Sequence, residues 1–245
     1  AKSSELSTTA LQLRDVNAKL TQLSVQKDAF LSQISHELRT PMTSIRSFSE
    51  ILRDTDGLEP ADKTKYASII HVEAIRLTRL LDDLLDLSVL ENGQVSLNPS
   101  SGTLLSVIDH AVTTTQAGAT RAIAIDKSGV NATIILNTDL DRLAQVFINL
   151  ISNAQKYCKS EVPTLVIKTD VKHGKVIILF ADNGIPIPSD KRALIFEKFS
   201  RISDQDGSGA GLGLAICREI VTRLGGEIEH QPIREGNQFS VQLPI

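Results

Sequence analysis

Apolar residues in the first ninety positions recur at helical spacing. Taking Ile34 as the centre of one face, Leu38, Ile45, Phe48 and Leu52 fall within about 40° of it at 100° per residue. Upstream, Leu6, Leu13 and Leu20 recur every seven residues, with Val16, Leu23 and Phe30 at d positions and Thr9 as a weak d. The rest of that wheel (Gln12, Arg14, Asp15, Lys19, Gln22) is polar. This predicts a coiled coil running straight into the helix that follows. The alternative is one amphipathic helix lying on its own domain. Asp54–Pro60, DTDGLEP, supplies turn chemistry. A second helix is expected over 61–91, marked by Ile70, Leu77, Leu84 and Glu91 with Ala74, Leu81 and Ser88 between, and closed by Asn92-Gly93. Two antiparallel helices with one apolar stripe each cannot bury it alone, so the pattern predicts a homodimer built on a four-helix bundle.

After SLNPSSG (Ser96–Gly102) the pattern changes. Helices are expected over 104–115, 139–158, 189–196 and 212–224. Strands are expected over 123–126, 133–136, 164–171, 175–181, 227–230 and 238–243, with a hairpin turn at His173-Gly174. Helices and strands mix without regular βαβ alternation, so an α+β sheet with helices on one face is the expected fold. The domain reading is a coiled-coil helix at 1–29, a helical hairpin at 30–94, a linker at 95–102 and an α+β domain at 103–245.

Composition narrows the function classes. In 245 residues, 41% hydrophobic and 22% charged content describes an ordinary globular protein. A net charge of −3 lacks the basic footprint of a nucleic-acid binder. No run of about 18 apolar residues is present to span a membrane, and no signal-peptide pattern opens the chain. Cys158 and Cys217 lie in apolar helical contexts and are expected to be buried free thiols, consistent with a reducing cytosol. The expected localisation is cytoplasmic, alone or as part of a larger or membrane-anchored sensor. The chain opens on Ala1 rather than methionine, and the reading expects a fragment of a longer protein.

Candidate chemistry starts at His36, which lands about 200° from Ile34 and so faces away from the apolar stripe. Glu37 sits beside it and Thr40 one turn on. A solvated imidazole with a carboxylate to orient it or take its proton is a candidate nucleophile; the plain alternative is a surface histidine. Pro41 removes the donor to the carbonyl of Glu37, predicting a bend just past His36. In NLISNAQKYC, Asn149 and Asn153 share a helix face and Lys156 and Tyr157 follow within a turn. Paired carboxamides suit a hydrated Mg²⁺ and the lysine suits phosphate, or the group is a polar stripe whose lysine favours the helix C-terminus. DNGIP (Asp182–Pro186) ends an apolar strand, where a carboxylate can accept from a base amino group with Gly184 close by. IFEKFSRI (Ile195–Ile202) holds two core phenylalanines, Phe196 and Phe199. Its Arg201 either reaches phosphate or is solvated. In GSGAGLGLAI, Gly207, Gly209, Gly211 and Gly213 alternate before a helix, followed by Leu212, Leu214, Ala215 and Ile216. Glycines there let backbone approach phosphate at a helix N-terminus, and no G-K-[ST] follows to make a P-loop.

HELRTP (His36–Pro41) resembles the H-box of sensor histidine kinases. The other stretches resemble their N-, G1, F- and G2 boxes, in family order and over nearly the whole chain from Phe30 onward. The resemblance implies a dimerisation and histidine-phosphotransfer bundle followed by a Bergerat-type ATP-binding sandwich. It implies ATP and Mg²⁺ as cofactors, with Mg²⁺ on Asn153 supported by Asn149. Lys156 would contact phosphate and Tyr157 the nucleotide, Asp182 and Gly184 the adenine, and Gly209, Gly211, Leu212 and Gly213 the lid. His36 would accept the γ-phosphoryl group with Glu37 as its partner, then pass it to a response-regulator receiver aspartate. Thr40 would serve the reverse dephosphorylation, and the domains would hinge at the linker. Family members usually carry glycine where this chain has Pro186, which bears on the shape of the adjoining loop. It keeps open a nucleotide-binding pseudo-kinase or phosphatase-biased regulator, and another class of the same ATPase superfamily is the third reading. No nucleic-acid or membrane partner is expected for this segment.

Overall fold

The computed structural model describes residues 2–91, 96–117, 121–200 and 210–245, the side chains of 2–12, 15, 23, 26 and 91 excepted. The expectations at Asn92, Gly93, Arg201, Gly207 and Gly209, and those for the side chains of Leu6, Thr9 and Leu23, lie outside it. The chain divides into two compact units, Ala1–Leu80 and Leu81–Ile245.

The first unit is a helical hairpin. Helix α1, Lys2–Asp54, runs 53 residues, about 80 Å at 1.5 Å per residue. It is assigned continuously across Pro41. Its end follows the turn chemistry: the N–H of Thr55 donates to Ile51 O at 3.1 Å. Helix α2, Pro60–Glu91, begins on a proline, whose missing N–H costs nothing in a first turn. Phe48 of α1 stacks on Tyr66 of α2 with ring centroids 5.4 Å apart. Ile34, Leu38, Ile45 and Leu52 are half-buried on the same stripe. Farther up α1, Leu13, Val16 and Leu20 are 62%, 51% and 58% exposed. A heptad stripe left open in a single chain is what a second helix would cover.

The last residues of α2 belong to the second unit. Leu87 and Leu90 are buried there, while Leu81, on the stripe expected to face a second chain, is 45% exposed in the single chain. Asp86 accepts from the Arg142 guanidinium at 3.3 Å and from Gln145 at 2.7 Å, and Arg223 donates to Leu90 O. These contacts select the helix face turned inward, and a period of seven read along one helix has no access to them.

The body of the second unit is a five-stranded sheet covered by helices. Its strands are β2 (Ala124–Gly129), β4 (Thr164–Lys172), β5 (Lys175–Asp182), β6 (Glu227–Pro232) and β7 (Asn237–Pro244), in the order β2-β4-β5-β7-β6. Among the described residues only the β2–β4 pair is parallel. A two-stranded antiparallel ladder pairs β1 (Ser100–Thr103) with β3 (Ile135–Thr138). Ser100–Gly102 was expected within the linker, but its backbone groups find partners in β3. Helices α3 (Leu104–Ala117), α4 (Leu140–Tyr157) and α5 (Gly213–Arg223) complete the unit. Strand β5 shows why the layers join: Val176, Ile178 and Phe180 alternate to one buried face, and Phe180 meets Phe147 of α4 at 5.2 Å. The His173-Gly174 turn has φ of 51° and 73°, the conformation a two-residue hairpin needs.

Helix ends are fixed by side chains and glycines. Asp139 caps α4, its Oδ1 accepting from the N–H of Arg142 at 3.0 Å and its Oδ2 from the N–H of Asn98 at 3.0 Å. Replacing this buried carboxylate with alanine orphans both N–H groups. Asp139→Ala is expected to cost about 1–2 kcal/mol, read as a lower thermal midpoint. At the end of α5, Gly225 N–H bonds Thr222 O and Gly226 N–H bonds Val221 O, a Schellman closure.

Residues 189–196, expected as a helix, form successive turns. N–H groups of Lys191, Leu194, Glu197 and Ser200 each reach back three residues, at 2.9–3.2 Å. Ile195 and Phe196 are buried, Phe196 edge-on to Phe239 at 6.3 Å, and Arg192 Nε donates to Ile187 O at 3.0 Å. Anchoring at these points sets the path instead of a helical repeat. Among the described residues no helix is long and apolar enough to cross a membrane. Cys158 and Cys217 are both buried and free, and burial pushes the Cys217 thiol up.

Candidate functional site

In the first unit, His36 is exposed on α1, with Glu37 half-buried beside it. Glu37 accepts from Gln33 Nε2 at 3.3 Å, one turn earlier. Thr40 Oγ1 donates to His36 O at 3.3 Å, which leaves the hydroxyl oxygen able to accept. Pro41 is buried on the side of α1 away from His36.

In the second unit, α4 is the organising element. Leu143, Phe147, Leu150 and Ile151 hold its inner face in the core, and the same periodicity places Asn149 and Asn153 together at the edge of that face. Asn153 Nδ2 donates to Asn149 Oδ1 at 3.1 Å. Lys156 Nζ lies 2.7 Å from the Tyr157 hydroxyl and 4.5 Å from its ring centroid, and Tyr157 is 46% exposed.

Two glycines bring other motifs onto α4. A Cβ on Gly213, the first residue of α5, would stand 2.6 Å from Asn149 Nδ2 and 2.7 Å from its Oδ1. Glycine lets the start of α5 lie against that carboxamide, which any Cβ would push aside. The N-cap residue Leu212 is fully buried and makes no side-chain cap bond, so its side chain leaves the first-turn N–H groups of α5 uncapped. Gly211, with φ 71°, lies against the backbone of Phe199 and Ser200. Gly184 packs on Cys158, the C-cap of α4.

Asp182 ends β5 and is buried. Its Oδ1 accepts from the N–H of Gly184 at 2.8 Å and from Asn237 Nδ2 at 3.2 Å. Burial pushes its carboxyl above the usual carboxylate range, partly offset by those donors and by His230. His230, edge-on to Phe239 at 5.3 Å, is held below the ordinary imidazole value by burial. Along the same loop Ile185 is 70% exposed, and a cleft of about 440 Å³ opens beside Pro186, between Lys159 and Arg234.

The structure thus ties Asn149, Asn153 and Gly213 into one cluster, and links Gly184 and Asp182 to the far end of the same helix. Sequence reasoning missed Asn183 and Asn237. Asn183 Oδ1 accepts from the N–H of Thr164 at 2.8 Å and from Cys158 Sγ at 3.1 Å, while its Nδ2 donates to Val162 O at 2.9 Å. For Asn183 its place between Asp182 and Gly184 was the available signal. For Asn237 there was none, because its partners lie fifty or more residues away.

The donor set suits a hydrated divalent cation shared with a polyphosphate. Among the described residues no group of three or more histidine, cysteine or acidic side chains is placed to hold a metal. Asn149 Oδ1 already takes the Asn153 amide, which leaves Asn153 Oδ1 as a neutral ligand oxygen. A neutral oxygen on a hydrated ion fits Mg²⁺, most of whose remaining ligands are water and phosphate.

Comparison with known proteins agrees with this geometry. Residues 138–245 match the family described as histidine kinase-, DNA gyrase B- and HSP90-like ATPase, and residues 26–93 match the His Kinase A (phospho-acceptor) domain. The sensor protein kinase WalK of Staphylococcus aureus is 31% identical over 95% of this chain, which covers 57% of WalK. The histidine kinase AdeS of Acinetobacter baumannii is 25% identical, covering 85% of this chain and 97% of its own, with a TM-score of 0.65. The fold is also that of histidine kinase ThkA in complex with the response regulator TrrA, with a TM-score of 0.68 at 23% identity, covering 88% of this chain and 61% of that one. The chain spans 32% to 57% of the length of curated relatives it matches. An exposed histidine in a phospho-acceptor hairpin, followed by an ATPase domain of this type, places the chain in a family: it belongs to the sensor histidine kinases of two-component systems.

Proposed function

We propose that this chain transfers the γ-phosphoryl group of ATP to His36 and passes it on to an aspartate of a response-regulator receiver domain. The observation that carries the reading is His36 itself, exposed beside Glu37 in the phospho-acceptor hairpin of a chain that also holds an ATPase domain.

ATP is the substrate. Asp182 accepts from the adenine amino group, with Gly184 allowing the base to approach the backbone. Lys156 and the N-terminus of α5 offset phosphate charge, and Tyr157 lies against the nucleotide, as the resemblance implies. Asn153, with Asn149 behind it, would hold Mg²⁺, which supplies charge neutralisation on the triphosphate. Arg201 and Gly209 are assigned to phosphate and lid from the resemblance alone.

The unprotonated ring nitrogen of neutral His36 attacks the γ-phosphorus in line. The bond to the β–γ bridging oxygen breaks and its electron pair leaves with ADP. The proton on the other ring nitrogen goes to Glu37, so phosphohistidine forms without a fixed positive charge. The receiver aspartate then takes the phosphoryl group and returns the imidazole. Thr40 would orient water for dephosphorylation of that partner. The open heptad stripe of α1 supports a homodimer.

Incubation of the chain with γ-labelled Mg-ATP tests this. Acid-labile, base-stable label on the chain, chased onto a purified receiver domain, is the expected result. Mg-ATP binding without label would favour the pseudo-kinase or phosphatase-biased regulator instead.

A further inference from the structure

Asn237 is buried at the start of β7, paired in register with Asp182. Three hydrogen bonds of its carboxamide go to one loop, and the same side chain also meets His230. Its Oδ1 accepts from the N–H of Ile187 at 2.8 Å, and its Nδ2 donates to Ile185 O at 3.0 Å and to Asp182 Oδ1 at 3.2 Å. The residue before it, Gly236, has φ 98° and backs directly onto Asp182 O, where any Cβ would collide with the carbonyl. One residue therefore holds both ends of the loop 182–187 and the carboxylate from which it starts. With Pro186 in that loop, the two backbone bonds at 185 and 187 close over the one position that has no N–H to donate.

We infer that Asn237 is the positioning residue for base recognition: it fixes the Asp182 carboxylate and the 182–187 loop in the conformation that accepts adenine. The inference rests on the ATP reading above. Asn237 acts through Asp182, so its loss moves selectivity and pH dependence and not overall affinity alone. The direction follows from the donors. The ionised form of Asp182 is the one that accepts from an amino group, and the Asn237 amide favours that form against burial. The charged groups facing the pair are His230 from β6 and, beyond it, Arg192 from the turns after β5. Both stay in every variant below.

Two variants of the full chain separate the roles, each measured for Mg-ATP and Mg-GTP binding by calorimetry over a pH series carried down to the acid limb of the wild type, with thermal midpoints as the folding control. Asn237→Ala deletes the amide donor. Its acid limb of ATP affinity is expected to move to higher pH than in wild type, and its preference for ATP over GTP to shrink about tenfold. Asn237→Asp keeps the shape and the acceptor for Ile187 but sets a second carboxylate on Asp182. Near pH 8 it is expected to bind ATP about 30-fold or more weakly than wild type. That ratio recovers several-fold as pH falls and the pair takes up one proton, so that the hydrogen bond re-forms.

Folded variants with wild-type pH profile and base preference would overturn the inference, whether or not overall affinity falls. If neither variant folds, Asn237→Ser, which keeps a hydroxyl donor, decides by the same two readouts. Wild-type chain that binds no Mg-ATP would remove the ATP reading and this inference together, an outcome distinct from a wild-type-like variant.

Discussion

His36→Gln is expected to abolish incorporation of label from γ-labelled Mg-ATP, by at least about a thousandfold, while Mg-ATP affinity stays within about twofold of wild type. Glutamine keeps a polar side chain of similar reach but has no lone-pair nitrogen to attack phosphorus, so the loss falls on chemistry alone. His36 is exposed, and its described neighbour bonds are made by others: Thr40 uses the backbone carbonyl of residue 36, and Glu37 is held by Gln33. Folding should therefore change by no more than about 0.5 kcal/mol. Gel autoradiography beside calorimetry on the same preparation gives both numbers. Residual acid-labile label on the variant would move the acceptor to another residue. A parallel loss of ATP affinity would mean that residue 36 affects nucleotide binding and not only transfer.

How much of this could be read in the chain depends on how local the cause is. The helices of the hairpin, the strands β4 and β5 and the His173-Gly174 turn are written in periodicity and turn residues, and the structure has them. Asn149 and Asn153 were legible as a pair because four residues on a helix is one turn, and Gly213 because it opens one. The failures are all tertiary. The face that the last turns of α2 present to the second unit depends on Asp86 meeting Arg142 and Gln145, each more than fifty positions away from it. The turns over 189–196 follow from where Phe196 finds Phe239. Asn237 lay next to no motif, yet it is bonded to three residues of the loop that carries Asp182. A lone asparagine in a strand has no pattern to betray it. Asp182 itself sits between these cases: its motif could be read, but its burial and its dependence on Asn237 could not.

That burial gives Asp182→Asn two effects of opposite sign. The variant is nearly isosteric, and its Oδ1 can accept the same bonds from Gly184 N–H and Asn237 Nδ2. Its amide, however, presents a donor where the base amino group needs an acceptor. A site built to hydrogen-bond a substrate group and then mismatched to it loses about three orders of magnitude or more. Mg-ATP affinity, and labelling with it, is expected to fall accordingly. Stability goes the other way. The folded pKa of Asp182 lies above the ordinary value of 3.8 because burial disfavours the charge. A raised folded pKa means that the contribution of the group to stability is complete below the unfolded pKa and is lost as pH rises through the folded one. At neutral pH the wild-type chain thus carries a desolvated carboxylate that asparagine does not. The nucleotide-free variant should melt at or above the wild-type midpoint near neutral pH, and the gap should close as pH falls through the raised pKa and Asp182 takes up its proton. Thermal melts against pH, with and without Mg-ATP, measure both effects. A variant that binds normally would remove Asp182 from base recognition. One that melts below wild type at every pH would mean that the carboxylate holds the loop together more than burial opposes it.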